Sequence, residues 1–131
     1  MNRFFIASGS ALAALGVILG AFGAHALKSR LDAGQLQVFE TGVKYQMYHA
    51  LALILLGILF QKFNAPTTVY SGYFFLAGIV FFCGSLYLLS TRSILGIESW
   101  KFLGPITPLG GLCFIAGWVL LLLSVIKNKT V

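Results

Sequence analysis

The chain carries two histidines, and each stands beside an apolar run. His25 closes the run that ends in "GAFGAHAL", and His49 stands in "YQMYHALAL", near the start of the next run. Tyr45 precedes His49 by four residues and Gln46 by three, so on a helix the three share a face. Glu40 lies further up the same segment, with Thr41 and Tyr48 beside it, in the densest polar cluster of the chain. Ionisable groups within or beside a membrane span are costly unless paired, which makes His25, Glu40, Tyr45, Gln46 and His49 the candidate polar cluster.

Four chemistries fit such residues. A metal centre wants three or four ligands at close quarters, and two histidines with one glutamate lack the tight spacings that mark one. A haem or quinone site could use two imidazoles, yet both are expected at one membrane face, one per helix, with no sign of a gap for a ring. Proton handling suits an imidazole, which titrates near neutrality. The plainer reading is preferred: the imidazoles, Tyr45, Gln46 and Glu40 bond one another and the loop backbone, locking the first hairpin, because buried polar groups must find partners. No metal ligand set is assigned, and the cofactor is left unknown. Cys83 and Cys113 are far from metal-type spacing and read as buried free thiols. Ser8, Ser10, Ser71, Ser85 and Ser124 lack a nucleophile-elbow context, and three carboxylates leave few candidates for acid and base work, so no enzyme is expected.

The elements that must position this cluster follow from composition. Of 131 residues, 59% are hydrophobic and 9% charged, and the mean hydropathy is +0.94. A soluble domain carries roughly a quarter of its residues charged, so this chain cannot furnish a wet surface. The charges cluster between long apolar stretches, and the expectation is an all-α integral membrane four-helix bundle, a single membrane domain over residues 1–131 with spans at about 4–26, 45–61, 69–90 and 107–126. The net charge of +6 comes from Lys and Arg scattered at span ends, which read as headgroup anchors in the lipid bilayer and not as a nucleic-acid stripe. The N-terminal stretch, with Arg3 and the pattern Ala24, His25, Ala26, imitates a signal peptide, but its apolar part exceeds the usual ~7–15 residues and further spans follow, so it is expected to stay.

Four spans put both termini on one side of the membrane. That side has Arg3, Lys62, Lys127 and Lys129 with no acidic residue; the other has Lys28, Arg30, Lys44, Arg92 and Lys101 with Asp32, Glu40 and Glu98. The count is nearly a tie, and the signal-like start with its unopposed charges tilts the termini toward the cytoplasm.

Between the first two spans, Asp32 and Gln35 fit a capping box, with Leu31 and Leu36 at the staple positions, so a helix should start at Ala33. Leu36, Phe39 and Val43 then share a face, which predicts a short amphipathic helix in the headgroup region, bending at Gly42 into the second span. An unbroken extension of the second helix fits the same periodicity. In the first span, Gly9, Ala13, Gly16, Gly20 and Gly23 share one face, while Ala7, Ala11, Ala14, Ile18 and Ala21 line the opposite one, with His25 next in that rhythm. Small residues permit close helix approach in membranes, so this helix is expected at the centre of the bundle or at a dimer seam. Further on, Pro66 marks a helix start, Ser85, Tyr87 and Ser90 fall at the membrane edge, Trp118 is a core packing residue, and Thr107 with Pro108 opens the fourth span.

"GAFGAHAL", "FETGVKYQMYHALAL", "GSLYLL" and "TPLGGLCFIAGW" occur in this order. Over essentially the whole chain they resemble the YgdD/YwdK-like family of small four-span membrane proteins, grouped as a domain of unknown function, number 423 (DUF423), with a related vertebrate transmembrane protein family. The resemblance implies four helices and, in bacteria, the plasma (inner) membrane. Gly20, Gly23, His25, Tyr45, Gln46, His49, Gly84, Ser85, Tyr87, Thr107, Pro108, Gly110, Gly111 and Trp118 match its signature, but that family has no established activity and no chemistry comes with them. The function expected is therefore helix packing with a second copy of itself or with a larger membrane partner. The rivals are a small transporter or channel subunit using the polar cluster, and a cofactor- or metal-binding membrane protein.

Overall fold

A computed structural model of the protein describes residues 1–128; Lys129, counted above among the charges on the termini's side, lies outside them. Among the described residues there is no strand. Four long helices, α1 (Arg3–Leu27), α2 (Ala33–Leu59), α3 (Pro66–Ser90) and α5 (Leu103–Lys127), are each long and apolar enough to cross a membrane. A short α4 (Arg92–Leu95) follows α3 and is closed by Gly96 at a φ of 68°. Two five-residue π turns interrupt the α geometry, Gly23–Leu27 at the end of α1 and Ile79–Cys83 within α3.

The long helices start where local chemistry gives some of the free N–H groups partners or removes them. The Asn2 side chain accepts from the Phe5 amide at 3.1 Å. Asp32 and Gln35 close the reciprocal box, with the Gln35 amide donating to Asp32 Oδ1 at 2.8 Å and the Asp32 amide to Gln35 Oε1 at 3.1 Å. Pro66 takes the first position of α3. The last long helix departs from expectation, because α5 begins at Leu103 and holds Pro108 in its interior. The first four amides of a helix have no partner within it, so Pro105 sits in the first turn at no cost and the helix begins ahead of Thr107. The threonine hydroxyl is then free for another task, a 2.6 Å bond to Ser85 Oγ.

Residues 33–59 form one unbroken helix. The amphipathic stretch is thus the first part of α2, the extended form of the two that the periodicity allowed. The helix is not interrupted at Gly42, where a Cβ would lie 2.8 Å from Tyr87 Cε1; the glycine serves close approach to α3.

α1 and α2 run antiparallel, as the neighbours of their glycines show. A Cβ on Gly9 would lie 2.7 Å from the Ala50 carbonyl oxygen, one on Gly16 2.6 Å from Met47 Sδ, and one on Gly23 2.9 Å from the Phe39 ring. α3 and α5 form the second antiparallel pair, laced by Thr67 to Ser124 at 2.6 Å, Ser71 Oγ to the Gly117 carbonyl at 2.7 Å, and Ser85 to Thr107. Their backbones come closest at Gly110, where any Cβ would collide with the backbone of Phe82 in the π turn. Asn2 donates from its amide to the Gly57 carbonyl at 2.9 Å, and the Asn128 side chain donates to the Lys62 carbonyl at 2.5 Å, so Asn2 and Asn128 lie at the same end of the bundle.

The expectation that α1 is central is corrected. α2 is the most buried of the four helices and α1 the least. Gly9, Gly16 and Gly23 of α1 are buried against α2, Ala13 and Gly20 are half-buried, and Ala7, Ala11, Ala14, Ile18 and Ala21 are exposed. Small residues on two faces therefore do not require protein on both.

Candidate functional site

His49 is buried, with 4% of its surface exposed. At about 1.5 Å per residue, the stretch from Ala33 to His49 is about 24 Å long, so the imidazole lies deep in the bundle. His25, on the π turn of α1, is exposed and lies beyond the level of Phe39, at least about 15 Å along the axis from His49. The expectation that the two histidines share one membrane face and could approach each other is thus overturned. The cause is the true start of α2 at Ala33, which carries residue 49 inward.

Both nitrogens of His49 are committed. The Trp118 indole N–H donates to His49 Nε2 at 3.0 Å, and His49 Nδ1 lies 2.7 Å from the Tyr45 carbonyl oxygen. An indole nitrogen can only donate, so Nε2 must accept and Nδ1 must carry the proton given to Tyr45. This is the neutral Nδ1–H tautomer, with no lone pair left for a metal. The ring stacks on Phe114, with centroids 3.6 Å apart and planes 12° apart, and meets the edge of Phe75 at 5.4 Å.

Gln46, one turn away, is 2% exposed and equally committed. Its Nε2 donates to the Leu12 carbonyl of α1 at 2.8 Å, and its Oε1 accepts from the Tyr87 hydroxyl of α3 at 2.6 Å. One amide thereby ties three helices together, while His49 ties α2 to α5. Among the described residues, every buried side-chain nitrogen or oxygen has a partner. Satisfied polar groups in a low-dielectric core rigidify and specify an arrangement. They offer a substrate no unpaired group.

The remaining members of the expected cluster lie apart from this centre. Glu40 and His25 are exposed. Tyr45 contributes its backbone carbonyl to His49, while its half-exposed ring lies against Phe82, with centroids 4.8 Å apart. Cys83 is buried and Cys113 only half-buried. Sequence reasoning missed Tyr87 as a member. Tyr87 was placed at the membrane edge with Ser85 and Ser90, yet its hydroxyl turns inward and both serines are buried. Trp118 was expected as packing alone, but its ring is 46% exposed and its N–H is what reaches the core. The available signal was chemical: a Tyr or Trp deep in an apolar helix carries a polar tip that needs a partner, and Gln46 and His49 were the side chains able to supply one.

Four apolar helices joined by short connectors around a hydrogen-bonded polar centre define a polytopic membrane protein. The family model described as "Protein of unknown function (DUF423)" matches residues 19–111. The chain belongs to that family. It is 46% identical over 93 residues to the "UPF0382 membrane protein YwdK" of Bacillus subtilis (strain 168), covering 70% of this chain and 76% of that one. To the "UPF0382 inner membrane protein YgdD" of Escherichia coli (strain K12) it is 35% identical over 93 residues, covering 71% of each. No solved structure matches. The matched stretch contains both members of two bonded pairs, Gln46 with Tyr87 and Ser85 with Thr107, and His49 of a third, whose partner Trp118 lies beyond it.

Proposed function

We propose that this protein is a non-enzymatic, helix-packing component of the bacterial inner membrane, which joins a second copy of itself or a larger membrane partner through α1. The carrying observation is the division of labour on α1. Gly9, Gly16 and Gly23 are used against α2, while Ala7, Ala11, Ala14 and Ala21 lie exposed along the opposite face. Helix association in lipid depends on close packing, which small side chains allow. The closed hydrogen bonding of Gln46 and His49 supports a structural role for the polar centre over a passage or a cofactor site. The unopposed Arg3, Lys62 and Lys127 at one end support termini in the cytoplasm.

The test is the mass of the particle in a mild detergent supplemented with lipid. The chain of 14.2 kDa is expected in assemblies larger than a monomer, or with a copurifying membrane protein, and Ala14→Trp is expected to dissociate either. A strict monomer that brings nothing with it overturns the proposal, as does a flux across reconstituted vesicles that is lost in His49→Ala.

A further inference from the structure

α1 and α3 meet at one end of the bundle and part toward the other. Near their first turns the Phe5 ring occupies the space left by Gly72 and meets Tyr73 at 5.6 Å. Toward the end carrying the connector between α1 and α2, the helices separate and leave a cavity of about 600 Å³. Its floor is the ring pair Phe39 and Tyr87, whose centroids are 5.1 Å apart, and its walls include Leu19 of α1, Leu88 of α3 and Leu95 of α4. The Tyr87 hydroxyl is spent on Gln46, so the floor presents ring faces. Arg30 is the one charged residue among those that line the cavity. It is exposed and belongs to the connector at the rim, while the apolar wall continues down α1 as far as Leu19. Asp32, the nearest acid in sequence, is engaged in capping α2 and does not line the cavity.

We propose that this cavity is a binding site for one anionic phospholipid of the surrounding bilayer, with an acyl chain along the Leu19 and Leu88 walls and the phosphate headgroup on Arg30. The volume lies in the roughly 300–1,000 Å³ range of small-molecule sites. An apolar depth with a single cation at the mouth complements a molecule that is greasy at one end and negative at the other. Arg offers a planar fork of donors matched to phosphate oxygens. A phospholipid already in the bilayer can enter sideways between the parted helices.

Native mass spectrometry of the full chain in mild detergent, with equal phosphatidylglycerol, phosphatidylethanolamine and oleate, tests the site. The expected result is one retained phosphatidylglycerol per chain, preferred about fivefold over phosphatidylethanolamine, the ratio that one basic residue near a membrane surface provides. Arg30→Gln, at an exposed connector position, should bring that ratio to about one, and Ala26→Trp, which places a ring in the cavity, should abolish retention of both. Equal retention of the two phospholipids by the natural chain overturns the assignment. So does an unchanged ratio in Arg30→Gln, or retention of oleate in place of phospholipid. The readout is independent of oligomeric state, so it fails separately from the packing proposal.

Discussion

α3 is sealed against α1 and α5 where the rings of Phe5, Phe75 and Phe114 meet their glycines, whereas α1 and α3 part at the level of Arg30, and glycine placement accounts for the difference. In the closed region three large rings each have a glycine to receive them: Phe5 on Gly72, Phe114 on Gly78, and Phe75 on Gly117, where a Cβ would lie 2.6 Å from Phe75 Cδ1. At the open end α1 offers Leu19 and Phe22 while α3 offers Leu88, and no glycine on one helix receives a ring of the other. Gly84, further along α3, would meet nothing within 4 Å if it gained a Cβ. With no receiving notch α1 and α3 stay apart there, and Phe39 of α2 with Ile94 and Leu95 of α4 join them in lining the gap. In lipid, where hydrophobicity gives helices no reason to associate, such steric fit decides where a bundle seals.

Substitutions at two glycines should part if close approach is what seals the bundle. Gly110→Ala is expected to destabilise the fold by about 3 kcal/mol, the upper range for overpacking, because the added methyl meets the backbone of Phe82, which cannot rotate away. Gly84→Ala brings the same gain in helix propensity with no collision and should be neutral or stabilising by up to about 1 kcal/mol. Unfolding by denaturing detergent in mixed micelles, followed by circular dichroism, reads both variants. Equal effects would show that close approach at Gly110 does not seal the bundle.

A smaller effect tests the polar centre. The substitutions His49→Phe and Trp118→Phe, alone and combined, form a cycle for the 3.0 Å bond between α2 and α5. Interhelical hydrogen bonds in membranes average about 0.6 kcal/mol and reach about 1.7. A coupling of about 1 kcal/mol is expected, since Trp118→Phe strands the acceptor nitrogen of the buried His49. Zero coupling in the same unfolding assay would leave the ring contacts with Phe114 and Phe75 as what His49 contributes between helices.

Local signals were legible in the chain, and distant pairings were not. Asp32 and Gln35 announced the start of α2 three residues apart, Pro66 announced α3, and the glycine face of α1 could be read from its period. Depth was harder, since the cap at Asp32 and the charge of Lys44 suggested two different starts for the second span. The cap prevails, because an unbroken helical ladder satisfies every backbone group, whereas a break near Gly42 would leave amides and carbonyls without partners beside hydrocarbon. Thr107 with Pro108 was the start expected for the last span, but the helix begins at Leu103, with Pro105 in its opening turn. Tyr87 reaches Gln46 across 41 residues of chain and Trp118 reaches His49 across 69. No spacing rule spans such intervals, so chemical need could flag these residues but not match them.

The smallest expected effect concerns His25, the outlying histidine of the expected cluster. His25 shares its motif with Gly20 and Gly23, stands on a π turn, and is exposed. A surface substitution away from caps and buried networks changes stability by about 0.5 kcal/mol or less, so His25→Ala should unfold at the same detergent fraction as the natural chain. Within the fold His25 supports nothing that α1 needs, because the Gly23 contact with Phe39 and the burial of Leu27 already hold the end of the helix. A loss of particle mass in His25→Ala at unchanged stability would place the imidazole in the α1 seam, since it follows Ala14, Ile18 and Ala21 along the same face. A loss of stability in the isolated chain would instead contradict the exposed position described for it.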